Sequence, residues 1–104
     1  DIADTIKYED KFLDNHTLQW QSKNNRTMKS PEILALQNEK NIRLPLFIKK
    51  SDDEGTDHYY MGDLKPIADS FIEEEKANKP IVRLKYEVLP PIEKSLYSYI
   101  TSND

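Results

Sequence analysis

The lone tryptophan of the chain, Trp20, heads the run Trp20-Gln21-Ser22-Lys23-Asn24-Asn25-Arg26-Thr27-Met28-Lys29. No Asp or Glu occurs between Asn15 and Pro31, although the whole chain carries net charge -4. Lysine and arginine displace counterions when they meet phosphate, and asparagine and serine donate hydrogen bonds to phosphate oxygens. An aromatic ring beside such a group offers a stacking surface. Lys23, Asn24, Asn25, Arg26 and Lys29 are therefore candidates for holding an anionic backbone. The plain alternative is a solvated loop, with Trp20 anchored in the core.

Other chemistries are poorly served. The chain has no cysteine, which removes disulfides, thiolate metal sites and a cysteine nucleophile, and fits a cytoplasmic protein. His16 and His58 stand alone without ligand-like spacing, so no metal is expected. There is no nucleophile elbow and no phosphate-binding glycine loop, so neither a catalytic role nor a cofactor is expected. The acidic runs Asp52-Asp53-Glu54 and Glu73-Glu74-Glu75 read as solvated turns. A negative net charge argues against a general nucleic-acid coat, though not against a local positive surface.

At 104 residues, 37% hydrophobic and 33% charged, the chain suits one domain with one small core. No apolar run approaches the roughly 20 residues that span a bilayer, so no membrane partner is expected. The opening DIADTIKYED lacks signal-peptide character, and the absence of an initial Met fits a piece of a longer protein.

The elements that would position these residues are mostly strands. In residues 80–89, Val82, Leu84, Tyr86 and Val88 alternate with Arg83, Lys85 and Glu87, the period of a half-buried strand. In 41–50, Ile42, Leu44, Leu46 and Ile48 share a face, and Pro45 places that strand at an edge or a bulge. Residues 49–57 read as a polar turn leading to a hairpin partner at 58–64. Residues 66–74 are ambiguous between strand and short helix, 74–80 reads as a turn, and Thr17–Gln21 as a strand. Ser30-Pro31-Glu32 supplies a capping hydroxyl, an N1 proline and a first-turn acid for a helix over 31–40 that would bury Ile33, Leu34 and Leu36. Pro91 opens a second, with Ile92, Leu96 and Ile100 in one stripe. About five strands and two short helices predict a mainly β (α+β) fold built on a small, strongly bent sheet or barrel.

Several short motifs, in order, resemble a bacterial family. They are Tyr8-Glu9-Asp10 with Phe12-Leu13, Trp20-Gln21-Ser22 with Asn25-Arg26-Thr27, Leu46-Phe47-Ile48-Lys49-Lys50, Tyr60-Met61-Gly62 and Pro80-Ile81-Val82. They resemble the C-terminal domain of large helicase-like proteins, a domain long filed as of unknown function. Met61 stands where the family often has leucine. The parent proteins carry a phospholipase-D-type nuclease domain and a superfamily-two ATPase domain. The resemblance extends to type IV restriction enzymes that cut DNA containing modified cytosine. In those enzymes the module looks like an SRA-like, PUA-like β-barrel that captures a flipped base.

The resemblance implies a non-catalytic specificity domain of a bacterial restriction enzyme. Its partners would be double-stranded DNA bearing 5-methyl- or 5-hydroxymethylcytosine, and the helicase and nuclease domains of the same polypeptide. Tyr8, Asp10, Trp20, Ser22 and Tyr59 would then form the base pocket, with Lys23, Asn24, Asn25, Arg26 and Lys29 on the DNA backbone. Tyr8 and Asp10, two apart, point the same way in an extended segment, as do Trp20 and Ser22. Tyr59 and Tyr60 face opposite ways; Tyr60, within its motif, reads as structural and Tyr59 as the surface candidate. Tyr86 falls in register with the core. The rival readings are a protein-interaction module docking on the ATPase or mediating self-association, a PUA-like RNA binder, and, least favoured, a hydrolase.

Overall fold

The computed structural model describes residues 10–38, 42–53 and 55–102. It is mainly β, with six antiparallel strands in one open, bent sheet and two helices: β1 (Lys11–Asp14), β2 (Thr17–Gln21), α1 (Pro31–Asn38), β3 (Leu44–Asp52), β4 (Gly55–Pro66), β5 (Ile72–Lys76), β6 (Lys79–Leu89) and α2 (Lys94–Thr101). The strand order is β1-β2-β6-β4-β3, and β5 pairs with β6 beyond the end of β4. Strand β6 is thus the spine. One of its edges carries β2; the other carries β4 along its C-terminal half and β5 along its N-terminal half.

Ser70 bridges the break between β4 and β5. It lies in a 3-10 turn, Ala68–Ser70, where its hydroxyl donates to the Ile67 carbonyl at 2.7 Å and accepts from the Lys85 amide at 2.9 Å. The Ile67 amide meets the Lys85 carbonyl at 2.9 Å. The β6 edge therefore stays hydrogen-bonded where no strand lies beside it.

Strand alternation puts one apolar side chain after another on the inner face. Leu18, Leu46, Ile48, Met61, Leu64, Leu84, Tyr86, Val88 and Ile92 form the buried cluster, with Phe12, Trp20, Tyr59, Leu96, Tyr97 and Ile100 among the half-buried residues packed on it. Burying one such side chain stabilises by about 1.5–3 kcal/mol, against roughly 0.5–1.5 kcal/mol net for a hydrogen bond. Core burial therefore outweighs any one cap or turn. From α1, Ile33 is fully buried and Leu36 joins the cluster, but Leu34 is 39% exposed rather than buried, because it points away from the sheet.

As Pro45 implies, β3 is an edge strand with an irregular register. Pro45 pairs with Asp63 and Phe47 with Tyr60, so Leu46 alone faces both Met61 and Gly62. The extra residue resets the alternation of β4, putting Tyr59, Met61 and Leu64 on the inner side. Gly62 takes φ +95°, and a Cβ there would lie 2.5 Å from the Leu89 carbonyl oxygen. The motif Tyr60-Met61-Gly62 thus marks a backbone constraint.

Several boundaries differ from the sequence reading. β1 has no counterpart in it, because four residues with a bulge after Phe12 show too little alternation. The supposed turn at 49–57 is mostly ladder: Lys49 pairs with His58 and Asp52 with Gly55. The turn at 74–80 shrinks to Ala77 and Asn78, both at positive φ, while Glu74, Glu75 and Lys76 continue β5. Two consecutive left-handed residues match the twist of a two-residue hairpin, so the acidic run becomes an edge strand. The Ser30 hydroxyl accepts from the Thr27 amide at 2.9 Å instead of capping α1, whose last two expected residues lie outside the described ones. α2 starts at Lys94, not Pro91; Glu93 caps it by accepting from the Leu96 amide at 3.0 Å.

Gly62→Ala should cost roughly 2–3 kcal/mol from positive φ and the clash together. Urea unfolding followed by circular dichroism measures the loss; a variant as stable as the parent would refute the constraint at this bulge.

Candidate functional site

Two of the edge strands, β1 and β3, stand at opposite ends of the strand order, yet both border one open groove of about 410 Å³. The sheet bends so far that its edges approach, and α2 lies along the seam. Asp10, Lys11 and Phe12 line one side, Ile48 and Lys49 the other, and Tyr97, Ile100 and Thr101 come from α2. Phe12 and Tyr97 meet edge to face, their ring centres 5.6 Å apart and their planes at 82°. That contact joins the first strand of the sheet to the last helix.

A fixed approach places α2 there. The Ile92 amide donates to the Asn15 carbonyl at 2.8 Å, and the Asn15 side-chain amide returns a 2.8 Å bond to the Ile92 carbonyl. Ile92 is 3% exposed, so the segment entering α2 is pinned by both burial and paired hydrogen bonds. Tyr99 then meets Tyr59 edge to face at 6.3 Å.

Asp10 is 9% exposed and lines the groove. Its Oδ1 accepts from the Gln21 amide at 3.3 Å, which holds it across from the end of β2. Burial, and then the Asp10 charge, push the Tyr86 phenol well above its ordinary range. Trp20 packs edge-on against Tyr86, with ring centres 6.2 Å apart. Trp20 is half-buried on the core, and Tyr86 is interior as the register implied.

Of the expected base-pocket residues that the structure describes, the groove takes only Asp10. Tyr8 lies outside the described residues. Ser22 is buried and used by the backbone: its hydroxyl accepts from the Val82 amide at 2.9 Å and donates to the Lys23 carbonyl at 2.8 Å. The two tyrosines exchange their expected places. Tyr59 pairs with Ile48 on the inner side and is half-buried, whereas Tyr60 is 60% exposed beside Phe47, its hydroxyl donating to Asp63 at 2.9 Å.

The acid-free loop acquires acids in space. Arg26 Nε donates to Glu32, and its Nη1 donates to the Asn24 and Asn25 carbonyls at 3.3 and 3.4 Å. Its guanidinium is thus turned into the loop as a brace. The Glu32 carboxyl falls below its usual range through its own backbone amide and the Arg26 side chain. Glu73 of β5 accepts from the Met28 amide at 2.9 Å. Lys23, Asn24, Asn25 and Lys29 remain exposed.

Phe12, Tyr97, Lys11 and Lys49 escape the sequence reading. A groove shared by the first strand, an edge strand and the last helix has no signature in spacing; only Phe12 and Lys49 fall within the noted motifs. Ser22→Ala would strand the buried Val82 amide and should destabilise by about 1–3 kcal/mol. Thermal unfolding tests this, and an unchanged midpoint would deny Ser22 its structural role.

Among the described residues no three His, Asp or Glu side chains gather as a metal site, and no helix is long and apolar enough to cross a membrane. No curated protein matches the chain. The ordered motifs that frame this sheet do have a counterpart: residues 1–100 match the family described as "Domain of unknown function (DUF3427)", and the chain belongs to that family.

Proposed function

We propose that the domain recognises modified cytosine in DNA by accepting a flipped base into the groove between β1, β3 and α2. The observation that carries this reading is a buried carboxylate, Asp10, in an aromatic-walled groove of about 410 Å³. That volume falls within the ~300–1,000 Å³ of ordinary ligand pockets.

The energetics are compatible. Extruding a base costs a few kcal/mol. Stacking on Phe12 or Tyr97 returns ~1–3 kcal/mol, and a carboxylate accepting from the cytosine amino group contributes about 1–3 kcal/mol. A carboxylate has about four acceptor sites, so one already hydrogen-bonded within the fold can take a further donor. A 5-methyl group buried against Ile48 or Ile100 adds about 0.8 kcal/mol, enough for a several-fold preference. The groove thus replaces the pocket expected around Trp20, Ser22 and Tyr59, and retains Asp10.

The sequence resemblance to the last module of type IV restriction enzymes supports the same reading. On this reading, cleavage and ATP hydrolysis belong to other domains of a longer bacterial, cytoplasmic polypeptide, and this domain is non-catalytic. An RNA-binding role would present the same groove to a single-stranded base.

The measurement is an anisotropy titration with matched duplexes, methylated and unmethylated at cytosine, in several sequence contexts, with RNA of the same sequence as competitor. Modified duplex should bind several-fold tighter and resist the RNA. Asp10→Asn should lower the affinity for modified duplex about tenfold. Equal affinities in every context would remove the modified-base claim, and preferential displacement by RNA would shift the assignment to RNA.

A further inference from the structure

We infer that Lys11 and Lys49, one on each lip of the groove, clamp the phosphates on either side of the nucleotide it holds. This rests on the reading of the groove as a nucleotide pocket, but it assigns the backbone contact to residues outside the Asn-rich loop.

Alternation places the two lysines. Phe12 is packed on the core and Ile48 is buried. Their neighbours Lys11 and Lys49 fall on the opposite face of the same edge strands, both exposed and both lining the groove. Because β1 and β3 are the two ends of one bent sheet, these lysines border the seam from opposite sides. A nucleotide swung into the groove has its chain entering over one lip and leaving over the other, with a phosphate on each. Lysine suits such a contact, because a compact charge on a flexible stem follows a phosphate without demanding one geometry.

The surrounding charges favour these two over the other candidates. The residue facing Lys11 across β1 and β2 is Gln19, and the one facing Lys49 across β3 and β4 is His58, so neither has a carboxylate opposite. Neither enters an ion pair among the described residues, whereas Arg26 pairs with Glu32 and Arg83 with Glu74. In the loop, the Lys23 charge acts on Glu32, which Arg26 already pairs, and Glu73 accepts from the Met28 amide, next in the chain to Lys29. In a chain of net charge -4, the two lysines outnumber Asp10, the one carboxylate among the residues lining this groove, so a polyanion meets less repulsion there than along the acidic strand β5.

The test uses the full chain and a labelled duplex carrying 5-methylcytosine, titrated across a range of salt concentrations. K11Q and K49Q should each weaken binding about three- to tenfold, for modified and unmodified duplex alike. Each should reduce the slope of log affinity against log salt by about one, and the double variant by about two. K23Q/K29Q should leave that slope nearly unchanged. Circular dichroism and the urea midpoint confirm that each variant folds. A double variant K11Q/K49Q with the parent slope overturns the clamp; if Asp10→Asn still lowers affinity for modified DNA, the base-pocket reading survives it. If the parent protein binds no duplex at all, pocket and clamp fall together.

Discussion

The inner face of the sheet is apolar on nearly every strand and has to be kept from water. With two short helices among the described residues, the chain meets that requirement largely by curvature. The sheet bends until β1 and β3 approach, and α2 covers the interval with Leu96, Tyr97 and Ile100. Dispersion and apolar burial favour a filled interior, and a bent sheet fills its own concavity. The groove is what this closure leaves open, so its walls come from parts of the chain that are far apart in sequence.

Two local devices let the sheet bend without losing its hydrogen bonds. The bulge at Met61–Gly62 shifts β4 by one residue and returns Leu64 to the interior opposite Val88. Ser70 occupies the gap between β4 and β5 along β6, so the spine keeps its ladder while its neighbour changes. A straight sheet of these strands would need neither device, and it would leave the apolar face uncovered.

Charge is redistributed by folding. The loop from Ser22 to Ser30 contains no acid of its own, but α1 brings Glu32 to Arg26 and β5 brings Glu73 to Met28. The brace fixes the loop against the sheet, where the Arg26 amide also meets the Pro80 carbonyl at 3.2 Å. Ring and cation therefore do not meet where the sequence places them side by side, at Trp20 and its loop. They line one groove at the seam, where the paired rings of Phe12 and Tyr97 share the lining with Lys11 and Lys49.

By itself, the sequence determined the β character, the half-buried strand at residues 80–89, the edge or bulge at the proline-bearing strand and the start of the helix at Pro31. Each depends on a local rule: alternation, a missing amide donor, or an N1 proline. It also placed Tyr86 in the core. Only the tertiary structure decided which tyrosine of the pair 59–60 faces inward, because a bulge resets the phase of a strand and no alternation rule anticipates it. Only the tertiary structure turned Arg26 into a brace and Ser22 into a backbone latch, because their partners Glu32 and Val82 are set by how the chain returns upon itself. The groove belongs to the same class: the meeting of β1, β3 and α2 is a property of curvature, and curvature is the sum of twists and register shifts over the whole sheet.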